Sequence, residues 1–284
     1  MTITSNDSIC DFMGNSRILF VKPPDRYLDD EFVYQQLGPH YLQSYLEQYG
    51  ISSDILVLYE NRVSRKSREN GETLIPSESD LDMLWLSSDG GVIDAPFDHN
   101  IFGNYEIVGL SVMSPQAPDA YLITEILNRV YPGITTVIGG SHPRYYLDQV
   151  KSLPLPLAFD FVVPQDGWRP MYEIATGKVK RNGKSTVLSD NFLKFVDLPP
   201  PTRPLELMKK YSFEIAGAPA YHTISALGCP FICHFCESGT EKVRMFSEYM
   251  LDIDLSNMSN AHDRLGNNRK SVMFFDDVGL MNPR

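Results

Sequence analysis

The chain has no run of 18 consecutive apolar residues, so nothing in it is read as a membrane span. Met1 to Gly14 has neither a basic n-region nor an apolar h-region. No secretory signal is read there, and the expected compartment is the cytoplasm. Basic residues are the minority: 25 Lys and Arg stand against 36 Asp and Glu, a net charge of −11. That balance argues against phosphate-driven binding of nucleic acid. Cysteine is scarce, at four residues. Three of the four, Cys229, Cys233 and Cys236, crowd together far from Cys10. A disulfide framework needs spread pairs and an oxidising compartment, so that class is excluded. There is no GxGxxG, which leaves a nicotinamide or flavin dinucleotide site without its fingerprint.

What remains is an ordinary globular composition, 43% apolar and 21% charged, which excludes disordered and fibrous chains. A length of 284 residues suggests two domains. From Arg17 the sequence reads as repeated strand-then-helix units. Ile18 to Val21, Ile55 to Leu58, Ile107 to Val112, Ile134 to Ile138 and Phe161 to Val163 are short, continuous apolar runs. Such runs suit strands buried on both faces of a parallel sheet. Between them, Leu42, Tyr45, Leu46 and Tyr49 fall on one helical face ahead of Gly50, and Ile123, Ile126, Leu127 and Val130 on another. The expected fold is a doubly wound α/β domain of five parallel strands, Rossmann- or flavodoxin-like, over residues 17–178, with an insertion at about 60–104. Ligands bind such sheets at the carboxyl ends of the strands. This points to the loops Lys22 to Tyr27, Met113 to Pro118, Gly139 to Pro143 and Pro164 to Trp168.

Residues 179–212 read as a connector: a hairpin from Val179 to Val187 around Asn182-Gly183, then the stiff Pro199-Pro200-Pro201 and Pro204. Residues 1–16 are a polar tail. A second pattern occupies 213–284. It comprises a strand at Thr223 to Leu227, the cysteine loop, a helix capped by Ser247, and a strand at Val272 to Phe275 that ends on Asp276 and Asp277. The cysteines are spaced C-x3-C-x2-C, and three thiolates suit zinc or an iron–sulfur centre.

Cys229, Cys233 and Cys236, with Phe235 before the last of them, resemble the cluster loop of the radical S-adenosylmethionine (SAM) proteins. Together with Gly139-Gly140-Ser141-His142-Pro143 and Phe274-Phe275-Asp276-Asp277, the chain is similar to the members with a cobalamin-binding domain. The resemblance implies a 4Fe–4S cluster on the three cysteines and SAM held near Phe235, Asp276 and Asp277. It further implies a corrinoid at Ser111, Gly139, Gly140, His142, Asp166 and Gly167. The D-x-H-x-x-G motif of a histidine-ligated corrinoid is absent. The implied function is generation of a 5′-deoxyadenosyl radical for methyl transfer to, or rearrangement at, an unreactive carbon. The implied partners are an electron donor and a small-molecule or peptide substrate. The implied fold of 213–284 is the first part of a TIM-type barrel, cut short: either a truncated or split piece, or one that a second chain would complete. The alternative reading is a non-catalytic binding module or a half-enzyme, with zinc or a vestigial cluster in the cysteine loop.

Overall fold

The computed structural model describes residues 17–72, 75–189, 195, 198–234, 236 and 242–277. The tail 1–16 lies outside them. The described residues divide into two compact units. Unit 1 runs to Glu31 and resumes at Tyr45, continuing to residue 189. Unit 2 holds Phe32–Ser44 and the described residues from 195 onward.

Unit 1 is built on one sheet. Its elements begin with β1 (Ile18–Lys22), α1 (Leu37–Glu47, counted with unit 2 as far as Ser44), β2 (Ser53–Glu60) and α2 (Arg62–Glu69). Next come β3 (Leu81–Leu86), β4 (Val92–Pro96), β5 (Ile107–Ser111), α3 (Ala117–Val130) and β6 (Thr135–Gly139). The unit ends with α4 (Ser141–Tyr145), α5 (Leu147–Lys151), β7 (Phe161–Val162), α6 (Trp168–Ala175) and β8 (Thr186–Val187). The strand order is β4-β3-β2-β1-β5-β6-β7-β8. Within it, β2-β1-β5-β6-β7 are parallel. In order of appearance those five strands lie 2-1-3-4-5, the flavodoxin-like arrangement, whose switch point falls between β1 and β5. The apolar runs explain the placement. All five residues of β1 are buried, and so are Ile55 to Leu58 of β2. Ile123, Ile126 and Leu127 of α3 are buried too, and Ile123 and Leu127 pack into the core with Leu19, Val108 and Ile138.

The five strands expected from apolar runs are present, within two residues at their ends. Two details differ. The stretch read as an insertion carries β3 and β4, which add antiparallel to the β2 edge. Leu81, Met83 and Trp85 are buried there, and Ser88-Asp89-Gly90 make the turn. The hairpin expected at Val179 to Val187 does not form. β8 instead pairs parallel to β7, and the Asn182 side chain turns back only locally, accepting from the Lys184 N–H at 3.0 Å.

Unit 2 contains α7 (Leu205–Met208), β9 (Glu214–Ile215), β10 (Ala218–Thr223), β11 (Ala226–Leu227), β12 (Arg244–Met245), α8 (Glu248–Arg264) and β13 (Ser271–Phe274). β10, α8 and β13 form a β-α-β unit with parallel strands, and β9 adds antiparallel to β10. The Ser247 hydroxyl caps α8 by accepting from the Met250 N–H at 3.1 Å. Tyr221 of β10, Met258 and Ala261 of α8 and Met208 of α7 form its core. The single strand expected at Thr223 to Leu227 is broken. β10 ends at Thr223, and Ala226–Leu227 pair separately with Arg244–Met245. Of the expected first part of a barrel, the β-α-β unit with parallel strands is present; a barrel is not shown, since among the described residues unit 2 has one three-stranded and one two-stranded sheet.

Candidate functional site

The carboxyl edge of the unit 1 sheet gathers the loops that sequence reasoning singled out. Ser111 and Gly139 end neighbouring strands and are register partners. Gly140 has φ +95°, and a Cβ there would lie 2.6 Å from the Val112 carbonyl oxygen and 2.7 Å from its nitrogen. Glycine is therefore required at 140 by the protein's own backbone. Gly139 meets nothing closer than 3.7 Å, an ordinary contact. His142 is buried in α4, its Nε2 2.9 Å from the Tyr121 hydroxyl and its Nδ1 3.2 Å from the Ser114 hydroxyl. Burial lowers its pKa, which favours the neutral ring. Asp166 and Gly167 are half-buried and lead into α6 after β7.

Sequence reasoning missed the ionic network at the switch point. Lys22, 1% exposed at the end of β1, donates to Glu31 Oε2 at 2.9 Å. The same oxygen accepts from the Asp25 N–H, and Glu31 Oε1 accepts from the Glu60 N–H. Arg26, from the loop after β1, makes a bidentate pair with Asp119 in the first turn of α3, at 3.0 and 2.8 Å. It also reaches Glu60 at 3.2 Å, which Arg68 grips from α2 at 2.6 Å. Arg26 and Asp119 thus join the loop after β1 to the helix after β5, across the crevice where open α/β sheets take ligands. The loop after β1 carries no glycine. A cavity of about 790 Å³ lies instead at the opposite, amino-terminal edge, lined by Arg17, Tyr105, Glu106, Tyr131 and Thr135 among others. No sequence motif marked it.

In unit 2 the two aspartates after β13 are tied to the neck of the cysteine loop. Asp276 accepts from the Ser225 N–H at 2.6 Å, from the Ser225 hydroxyl, and from the Ala226 N–H at 3.2 Å. Asp277 accepts from the Gly228 N–H at 2.8 Å and is otherwise exposed. Cys229 is buried, while Cys233 and Cys236 are exposed, and all three thiols are free. The Cys236 N–H closes a turn onto the Cys233 carbonyl at 3.0 Å. Phe235 lies outside the described residues. No group of three His, Cys, Asp or Glu among the described residues is arranged to hold a metal ion.

Unit 2 also holds a buried polar network. Arg203, from the proline-rich stretch, pairs with both oxygens of Asp254 in α8 at 2.9 and 2.7 Å. It also donates to Gln35 Oε1 at 2.6 Å and to the His222 carbonyl at 2.7 Å. Thr223 adds a hydroxyl to Asp254 at 2.6 Å. His40 shares a 2.8 Å contact with the Thr202 hydroxyl, and burial, with the Arg203 charge second, lowers its pKa to about 3.

The architecture is thus an α/β sheet of flavodoxin-like order together with a β-α-β unit whose neck is fixed by two aspartates. No known protein family's profile matches the chain. Among curated proteins it is similar to a bacteriochlorophyllide d C-12(1)-methyltransferase of Chlorobaculum tepidum. The two are 25% identical over 188 residues, which cover 64% of this chain and 38% of that protein. It is similar also to an uncharacterised methyltransferase of Pyrococcus horikoshii, 23% identical over 195 residues, 63% of this chain and 41% of that one. The chain therefore spans about two fifths of the length of the relatives it matches. These findings correct the radical SAM reading. Both relatives are named as methyltransferases, and the cysteines, with the His, Asp and Glu around them, are not gathered as a metal centre among the described residues. With that reading go the 4Fe–4S cluster, the 5′-deoxyadenosyl radical and the metal-bearing alternative. Cobalamin likewise finds no support in the relatives' names. As for the membrane, no helix among the described residues is long and apolar enough to cross one.

Proposed function

We propose that this chain takes part in SAM-dependent methyl transfer. The observation that carries the reading is its likeness to two proteins named as methyltransferases, over nearly two thirds of its own length. SAM would supply a methyl group on a sulfonium, activated for transfer to an acceptor.

The residues present fit such a donor better in unit 2 than at the unit 1 switch point. That crevice is already bridged by Arg26 and Asp119 and lacks a glycine loop that would admit a nucleotide. In unit 2, Asp277 has one oxygen on the Gly228 N–H and a second for the donor's ammonium, a charge-assisted pairing. Asp276 already accepts at both oxygens, so its part is to hold the loop neck. Labelled SAM in equilibrium dialysis with the purified chain tests the reading. Saturable binding, weakened at least tenfold by Asp277→Asn, is the expected result. Absence of saturable binding by the wild-type chain would overturn it.

A further inference from the structure

His222 is one of several buried side chains of unit 2, with Gln35 and Tyr211, that keep orphan polar atoms. It is fully buried on β10, yet neither ring nitrogen has a hydrogen-bond partner among the described residues. Its main chain is fully engaged: the N–H meets Gln35 Oε1 at 3.3 Å, and the carbonyl accepts from Arg203. The orphan atoms therefore belong to the side chain alone. A buried polar group without a partner destabilises the fold. A phenyl ring would fill much the same space without that cost.

Strand alternation places the ring away from α8. Tyr221 stacks on His262 of α8 at 4.2 Å and Thr223 bonds Asp254 of the same helix, so His222 between them faces the other side of the sheet. On that side it stacks on Phe275 at 4.2 Å, with Phe213 at 4.8 Å and Tyr34 edge-on at 5.8 Å. Burial, with the Arg203 charge second, lowers its pKa to about 4, so at neutral pH the imidazole is uncharged, one donor and one acceptor. An uncharged ring in an aromatic enclosure has no cation for an anionic ligand. It offers stacking and one directional hydrogen bond, the pairing that recognises a nucleobase. Tyr34 closes the enclosure from an irregular loop and is 42% exposed, so it is the side chain that can swing aside. Phe275 directly precedes Asp276 and Asp277, which puts the aromatic face within two residues of the carboxylate assigned to the donor's ammonium.

We infer that the Tyr34–Phe213–His222–Phe275 face binds the adenine ring of the methyl donor, with His222 as its hydrogen-bonding partner and Tyr34 as the gate. The inference rests on the SAM reading above for the identity of the ligand, while the adenine site itself can be tested separately.

The experiment measures adenosine and SAM affinities alongside thermal stability, in the wild-type chain and in His222→Phe. The expected outcome is opposed: Tm rises because the orphan nitrogens are gone, while both affinities fall at least tenfold. Asp277→Asn should weaken SAM and leave adenosine unchanged. If His222→Phe binds both ligands as the wild type does, His222 is only a buried ring and the inference falls, with the SAM reading intact. If the wild type binds adenosine but not SAM, the SAM reading falls and the adenine face stands. If it binds neither, both fall. Should His222→Phe fail to fold, Tyr34→Ala carries the test: a severalfold loss of adenosine affinity supports the face, and no loss overturns it.

Discussion

The ionic network of unit 1 and the aromatic face of unit 2 treat buried polar groups differently, although unit 1 has an orphan of its own in Gln116 Nε2. At the carboxyl edge of unit 1, Lys22, Arg26, Glu31, Glu60 and Asp119 meet one another in a matched set of ion pairs. In unit 2, Arg203 and Asp254 are matched as closely, but His222 beside them has both ring nitrogens orphaned. Matched networks fix loops in place. An unmatched group lowers stability with no gain to the fold, so its place in the molecule is better explained by something that binds there.

Three measurements break or sharpen that contrast. The largest effect is expected where a buried pair loses its arginine: Arg203→Ala strands Asp254 as a buried, uncompensated charge. Denaturant titration should show a loss of about 3–5 kcal/mol. Arg26→Ala in unit 1 leaves Asp119, its side chain 2% exposed, without its bidentate partner while Glu60 keeps Arg68, so about 3–5 kcal/mol is expected there too. A loss under about 1 kcal/mol at either site would mean that its network does not fix the fold.

Next comes the glycine pair. Gly140→Ala forces a side chain into a positive-φ position and against the Val112 backbone, and should cost about 3 kcal/mol or more. Gly139→Ala, with ordinary contacts only, should cost about 1 kcal/mol or less. Comparable losses in a thermal melt would mean that the backbone is not the reason for Gly140.

The last measurement is a pH slope, modest over any single pH unit. His40 and His222 have folded pKa values near 3 and 4, below the ordinary histidine value of 6.5. The unfolded chain therefore takes up protons first as pH falls. Their stabilising contribution is complete above about pH 6.5 and is lost on acidification through that value toward pH 4. Each histidine contributes up to about 1.4 kcal/mol per pH unit across that window. His222→Phe should remove one histidine's share of the slope, and an unchanged slope would contradict a neutral, buried ring at 222.

How far the fold could be read from the sequence followed from how local its signals are. Ile18 to Val21 or Ile107 to Val112 announces a buried strand without reference to any other residue. β4 escaped because an edge strand alternates: Asp94 between Ile93 and Ala95 looks like loop in a scan for continuous runs, while β3 holds the buried run Met83 to Leu86 inside a stretch whose polar start read as an insertion. The unit 2 break after Thr223 escaped because it is set by Asp276, some fifty residues away, which accepts the N–H groups of Ser225 and Ala226. The same limit hid the candidate site. Cys229, Cys233 and Cys236 stand out by spacing alone, and that spacing outweighed everything else. His222, Tyr34, Phe213 and Phe275 come from four separate segments, and an orphaned nitrogen has no sequence signature. Arg26 and Asp119, 93 positions apart, were invisible for the same reason.

The neck of the cysteine loop has a consequence for how this chain can change. Between Leu227 and Arg244 the loop is closed by a two-residue ladder, with the Asp276 and Asp277 carboxylates gripping Ser225, Ala226 and Gly228. Those anchors lie outside the loop's own sequence, except for Gly228 at its base. The closure at Ser225 to Gly228 is therefore fixed from the residues that follow β13, and loss of the Asp276 carboxylate alone would free two backbone N–H groups of the neck, at about 1–3 kcal/mol for each one left buried.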